Sequence, residues 1–508
     1  MALSQEVLER PACEPSVTQM PISDRFFEAL FDFPEADYVT TRRGLLQRCT
    51  FEVVSANVAG GHSRVLKERA LFHHPRVAGG RCISSGWHST PSVAELRAEA
   101  VATVREFEQK NPGLLAKVAA SSRRPCTPSS SASPVTCAHV TGDAGKMHRS
   151  ITDGLFQVAS QFNLLEFASC EVTPEHGVRH YVYDRTQGPA CALACMGGTV
   201  YRNYLLHPHL FGATGVASAT ESADEASRGQ RVDRQVNVLN DLVEYLIRAR
   251  GSGDAALDPA VGATDSVEGS VPALPREHFF KIHNGYFVQT RQIASLTARC
   301  RCIAGAEGIS VADVEEELLS RLRIGLVEDA TVTLPLHDSP VYRAHAPREP
   351  SHQAEREVVA TPGTAVAPEV TLHVATQTYN SALSLPSQDK CTSLEWNGIG
   401  ALARIILRGT YEATLLAGVQ HTIRHLERQA SLAGASPPAA RLFSLPPILL
   451  TKVGGGVFGN DKEWIASSIA SAVHRVAALG VPLDVRLVHF QKVEEYYLDS
   501  LPSWPVLD

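Results

Sequence analysis

Short apolar runs of strand length alternate with stretches of helical periodicity from Val135 to Phe490, and this alternation limits the possible folds more than any other feature. Val135–Val140 is β-like. Gly154–Glu166 opens as a strand and ends in a polar turn, and Thr186–Leu206 is helical. A helix at Val236–Arg248, a strand-like Phe279–Thr290, a helix near Val311–Leu322 and a β-run at Ile324–Leu336 follow. The series closes with a strand at Val370–Tyr379, a long helix at Leu394–His425, a strand at Ile448–Thr451, a helix at Asp461–Leu479 and a strand at Asp484–Phe490. Such a chain builds a mixed or parallel sheet with helices on both faces, the α/β class in a three-layer α/β/α arrangement. Ligands of such sheets sit beyond the carboxyl ends of the strands.

Ahead of this block, residues 1–21 read as a disordered lead-in and 22–120 as an N-terminal α+β extension. In the extension, SDRFFEALFDF places Phe26, Phe27, Leu30 and Phe31 at helical spacing, and strand-like pieces follow at Thr50–Val58 and around Val65. Ser92–Gln109 is a helix opened by a Ser-x-x-Glu capping box at Ser92 and Glu95. The Ser/Pro-rich stretch 121–134 reads as a linker. Stretches near 212–232, 251–275 and 343–368, poor in large apolar residues, read as disordered inserts in one domain spanning 135–492, with 493–508 as a C-terminal tail.

With 508 residues, 44% of them apolar, core-building capacity is not limiting. A net charge of −7, with no basic stripe interleaved with aromatics, argues against a chain whose main task is gripping nucleic acid. The eleven cysteines are scattered, and Cys191/Cys195 and Cys300/Cys302 have no second pair at zinc-site spacing. No metal is expected, and the pattern points to a reducing compartment. No signal peptide and no run of eighteen apolar residues is present, so a soluble cytoplasmic or nuclear protein with no membrane partner is expected.

The glycine-rich turn Gly454-Gly455-Gly456-Val457-Phe458-Gly459-Asn460 joins the apolar run Ile448–Leu450 to the helix opened by Asp461. Such a turn exposes backbone N–H groups, and a helix N-terminus behind it adds roughly half a positive charge. It holds a pyrophosphate or serves tight packing. It is neither of the familiar phosphate loops, because no Lys-Ser/Thr follows and the spacing is not GxGxxG. Three further polar turns follow strands: Gly142-Asp143, the segment with Asn163 and Glu166, and the segment with Gln377, Tyr379, Asn380 and Ser381. Placed at one edge of one sheet, the four turns share a cleft. Asp184, Thr186, Gln187, Gly188 and Pro189 stand at a helix start, where Asp184 is either a cap or a site residue. Glu412 and Glu166 lie among apolar neighbours, so each is either turned to solvent or held in the site. His283 and His373 read as core or edge histidines. No cysteine has a nearby base of the kind a nucleophile needs, so covalent catalysis is not expected.

In order along the chain, these segments resemble the macrodomain family of ADP-ribose-binding proteins. GDAGKMH resembles the family's Gly-Asp-Ile-Thr turn, which puts Asp143 against the adenine amine. LFQVASQFN resembles the strand whose final Asn faces the distal ribose, here Asn163. LHVATQTYNSAL and YEATLLAG resemble a later strand and helix, and LLTKVGGGVFGND resembles the second phosphate loop, with Gly456–Gly459 over the pyrophosphate and Phe458 beside the ribose. The phrases FQVASQFNLLEF, YDRTQGPACALA, YRNY, QVNVLND, HNGYF, SALSLP, TYEATL and GGGVFGND resemble the arginine-specific hydrolase branch over about Ile22 to Phe490. The glycine-rich first loop of ordinary macrodomains is absent, and Arg408 stands where that branch implies an acidic residue.

The resemblance implies hydrolysis of the N-glycosidic bond between ADP-ribose and an arginine of an ADP-ribosylated partner protein, with no cofactor. Asp184, Glu412 and Glu166 are the implied catalytic carboxylates, with Asp389 and Glu395 as further candidates. Asp143, Asn163, Gln187, Gly188, Tyr379, Ser381 and Gly454 to Asn460 (Gly454, Gly455, Gly456, Val457, Phe458, Gly459, Asn460) are the implied ligand-binding set. A non-catalytic reader of ADP-ribosyl groups, or an enzyme on free ADP-ribose derivatives, is the alternative.

Overall fold

The computed structural model describes residues 22–58, 62–73, 82–121, 133–179, 181, 186–211, 227–250, 271–333, 373–432 and 443–507. The lead-in 1–21, most of the linker and of each insert, and Asp184 lie outside the described residues. Secondary structure alternates much as the apolar pattern implies. The strands are β1 (Cys49–Val58), β2 (His62–His73), β3 (Cys82–Ser84), β4 (Trp87–Ser89), β5 (Val135–Thr141), β6 (Leu155–Ala159), β7 (Phe280–His283), β8 (Tyr286–Gln289), β9 (Gly325–Thr331), β10 (Val374–Asn380), β11 (Pro447–Leu450), β12 (Leu483–His489) and β13 (Val506–Leu507). The helices are α1 (Ile22–Phe31), α2 (Tyr38–Leu46), α3 (Val93–Lys110), α4 (Leu114–Ser121), α5 (Ala144–Ser150), α6 (Gln187–Ala194), α7 (Met196–Val200), α8 (Asn240–Ile247), α9 (Leu296–Glu307), α10 (Val311–Arg321), α11 (Ser393–Leu432), α12 (Lys462–Ala477) and α13 (Glu495–Ser500).

Eleven strands form one sheet in the order β1-β2-β4-β9-β10-β6-β11-β12-β5-β13, with β3 beside β2. From β10 to β13 every neighbouring pair is parallel, and from β1 to β10 every pair is antiparallel. The sheet is therefore mixed, and the N-terminal extension joins it through β4, which pairs β9 at Trp87↔Glu328. Residues 495–507, expected as a tail, contribute α13 and the strand that closes the sheet against β5.

Helices cover both faces. Successive strand residues point to opposite sides, and on β6 Phe156 meets the ring of His148 on α5 at 3.6 Å while Gln157 bonds Thr414 on α11 at 3.1 Å. α3 opens with the expected capping box, Ser92 and Glu95 bonding each other's backbone. α12 is capped by Asp461, whose side chain accepts from the Glu463 amide. β11 begins at Pro447, a strand position where the missing N–H is tolerated.

Two of the expected elements take a different form. Phe279–Thr290 is a separate hairpin, because Asn284 and Gly285 both take positive φ (47° and 82°) and turn the chain back on itself. Thr186–Leu206 breaks into α6, α7 and a π-helical turn at Tyr201–Leu205, a form that recurs at functional sites.

Candidate functional site

Parallel register brings the four polar turns to one edge. Asn380 is level with Ala159 across β10 and β6, Leu450 with Leu487 across β11 and β12, and His489 with Thr141 across β12 and β5. Gly142-Asp143, Ser160–Asn163, Ser381–Leu383 and the glycine turn thus leave the sheet side by side. Neighbouring strands stand about 4.8 Å apart.

The glycine turn is held by its own backbone and by β10. The Gly455 amide donates to Lys452 O, Asn460 N to Gly454 O and Gly459 N to Gly456 O, at 2.9, 2.9 and 3.0 Å. Positive φ at Gly454 (75°) and Gly459 (68°) makes the bend, and a Cβ on Gly454 would stand 2.5 Å from Ala382. Leu385 N bonds Phe458 O, and Asn460 Nδ2 bonds Leu383 O at 2.7 Å, tying the turn to the one after β10. Three consecutive amides, Gly456, Val457 and Phe458, donate to no acceptor among the described residues. Val457 is 79% exposed, and a Cβ on Gly456 would meet nothing within 4 Å. Asn460 Oδ1 is buried and has no hydrogen-bond partner among the described residues. The turn therefore leaves three successive N–H donors without a protein acceptor among the described residues, as an anion cradle requires.

Beneath it lies a buried polar layer. Tyr411 on α11 receives the Val453 amide at 3.0 Å and donates to Thr451 O at 2.8 Å, and the Thr451 amide bonds Gln157 Oε1 at 3.1 Å. Asn380 Nδ2 bonds Thr378 O and Thr414, leaving its Oδ1 unpartnered among the described residues. Burial raises the Tyr411 hydroxyl well above the usual range. Tyr411 therefore stays neutral and braces the turn.

The turn after β6 is built differently from what the resemblance implies. Asn163 is wholly buried: its Nδ2 bonds Gln235, its Oδ1 receives the Leu165 amide, and Gly285 of the hairpin closes over it. Its amide thus orders the turn and meets no solvent. The hairpin also places Tyr286 5.7 Å from the Phe458 ring, with its hydroxyl on Phe167 O at 2.7 Å. These two rings flank the glycine turn.

Glu166 is buried, 2% exposed, and faces Arg202 of the π-helical turn at 3.2 Å. Arg202 also bonds Leu164 O and lies 3.6 Å over the Tyr379 ring, and its Nη1 has no partner among the described residues. Burial lifts the Glu166 carboxyl to about 7 against the pull of Arg202. Tyr379 donates to Gln377, which in turn bonds Cys191 O and His148 Nε2. Tyr379 thus belongs to a buried chain on the α5–α6 side of the sheet. Its hydroxyl is not presented at the edge.

The other candidates divide. Gln187 and Gly188 dock α6 on β6: the Ala159 amide donates to Gln187 Oε1 at 3.1 Å, and a Cβ on Gly188 would come within 2.1 Å of Ala159 O. Asp143 caps α5, accepting from the Lys146 amide at 2.9 Å, and remains exposed at the edge. Ser381 lies at the edge, its carbonyl accepting from Thr410. Glu412 is not at the edge. It faces α3 and α12, where Arg97 bonds it at 2.6 Å and Arg475 at 3.4 Å. Arg475 lies about 20 Å along α12 from its cap by helical rise. Arg408 joins Arg97 and Arg475 around Glu316, so this residue belongs to an ionic cluster. Glu395 forms a capping box with Thr392 at the start of α11, and Asp389 is exposed in a short 3₁₀ turn.

Arg202 and Tyr286 entered the sequence reading only inside the phrases YRNY and HNGYF and were not named as site residues. The signal for Arg202 was present: one arginine inside the otherwise small and aromatic run MGGTVYRNYLL. No group of three or more His, Cys, Asp or Glu side chains among the described residues could hold a metal, and no helix there is long and apolar enough to cross a membrane. Compared with protein-family models, curated proteins and solved structures, the chain matches none.

Proposed function

We propose that this chain binds ADP-ribosyl groups carried by proteins at the carboxyl edge of its sheet and hydrolyses their N-glycosidic bond to arginine. The observation that carries the reading is the glycine turn: three consecutive amides with no acceptor among the described residues, before a capped helix and beside the turns after β5, β6 and β10. From β10 to β5 these turns span about 19 Å, the reach of an extended dinucleotide-sized ligand rather than a lone phosphate. In this reading the fold is a macrodomain-like α/β/α sheet. The amides of Gly456 to Phe458 take the pyrophosphate, Asp143 at one end takes the adenine amine, and Phe458 with Tyr286 walls the distal ribose.

Hydrolysis needs a carboxylate to steady the departing guanidinium and a water set against an oxocarbenium-like carbon. Glu412 is engaged in its ionic cluster and Glu166 in its buried pair with Arg202, which leaves Asp184 for that role. Incubation with a protein mono-ADP-ribosylated on arginine, beside others modified on serine or glutamate, tests this. Release of ADP-ribose from the arginine conjugate alone is expected, and release from none contradicts hydrolysis.

One observation favours a second reading, a non-catalytic reader. Glu166 is sealed against Arg202 and Tyr181, and its carboxylate does not reach the edge. A reader binds the conjugates and releases nothing.

A further inference from the structure

Far from the carboxyl edge, on the flank formed by β1, β2 and β3, three polar side chains stand in a row. β2 pairs β3 at His73↔Cys82 and β1 at Leu71↔Thr50. Directly opposed residues of an antiparallel pair set their side chains together, and a residue two along shares the same face. Cys82, His73 and Thr50 therefore line up across three strands. Phe72 points into the core, so alternation turns His73 outward, where it and Thr50 are exposed and Cys82 is half-buried. Cys82 Sγ lies 3.0 Å from His73 Nδ1, and His73 Nε2 lies 3.1 Å from Thr50 Oγ1.

We propose that Cys82 is a nucleophilic thiol and a site of reversible mixed-disulfide formation with low-molecular-weight disulfides. The row has the composition of an activated nucleophile: a thiol, a base within hydrogen-bond reach, and a third group orienting the base. With Nε2–H donating to Thr50, Nδ1 is left as the acceptor facing Sγ. His73 takes the thiol proton as Sγ attacks one sulfur of a disulfide R–S–S–R. The Sγ–S bond forms, the S–S bond breaks, and the departing RS⁻ leaves as RSH with the proton from His73. The disulfide is the oxidant, and Cys82 is oxidised to Cys82–S–S–R. The sequence reading found no cysteine with a base nearby because β2 and β3 make their contact through register, with the intervening residues between them.

The test is a time course of the full-length protein with oxidised glutathione at pH 7, mapped by peptide mass spectrometry, with the exposed Cys302 as internal reference. Cys82 is expected to form the mixed disulfide about tenfold faster than Cys302, and dithiothreitol should reverse it. His73→Gln should bring Cys82 down to the Cys302 rate, and Thr50→Val, which keeps the β-branched shape, should lower it part of the way. A Cys82 rate at or below that of Cys302 in the unaltered chain would overturn the proposal. So would rates unchanged in both variants.

Discussion

Glu412 and Asp153 show how far a single carboxylate's role depends on the elements that meet around it. Glu412 sits in a run of apolar residues, and sequence alone left solvent and site equally open; in the fold it meets Arg97 and Arg475 instead. Glu412→Gln is expected to lower stability by about 1–2 kcal/mol, through loss of a charge-assisted bond, while ADP-ribose affinity measured by calorimetry stays the same. Asp153 holds the far end of α11, bonded by Arg428 at 2.6 Å and by His425. Burial works to raise its carboxyl, but His425, His421 and Arg428 outweigh that and hold it at about 2, below its ordinary 3.8. Its contribution to stability is therefore present above about pH 4 and lost as pH falls through 2, about 2 kcal/mol in all. Asp153→Asn should flatten that part of the acid limb in a denaturant titration. Asparagine suits the site, since Asp153 has φ of 60°.

Elements were more legible than their contacts. Apolar spacing and capping residues located α1, α3, α10, α11 and α12, and the strands of the parallel block, β13 in the expected tail excepted, fell within a few residues of their expected places. α9 was missed because its inward residues, Leu296, Arg299, Cys300, Ile303 and Ala304, include a charged side chain and only two large apolar ones. The Asn284-Gly285 turn was present in the sequence, but a flanking run of strand-like residues masked it as one strand. What no local pattern reveals is close approach between elements. α6 lies so near β6 that Gly188 has no room for a Cβ, and Gly188→Ala is expected to push the helix off the strand and cost about 3 kcal/mol. Thermal melts of that variant beside Gly456→Ala, where the space is open, check it: only the first should fall.

For the whole molecule, the alternation of strand and helix was enough to predict a mixed sheet covered on both faces, and the register then aligned the polar turns at one edge. The joining of the N-terminal strands through β4 and β9, and the burial of Asn163 beneath the hairpin, depend on long-range pairing that composition does not encode. The central claim is that the amides of Gly456, Val457 and Phe458 hold a pyrophosphate. Titration calorimetry of ADP-ribose into the unaltered chain and into Gly456→Asp tests it most directly, because that position accepts a side chain without contact and a carboxylate there opposes the ligand's charge. The prediction is saturable binding by the unaltered chain and affinity weakened by about tenfold or more in the variant at unchanged melting temperature. No binding by the unaltered chain, or equal binding by both, would contradict it.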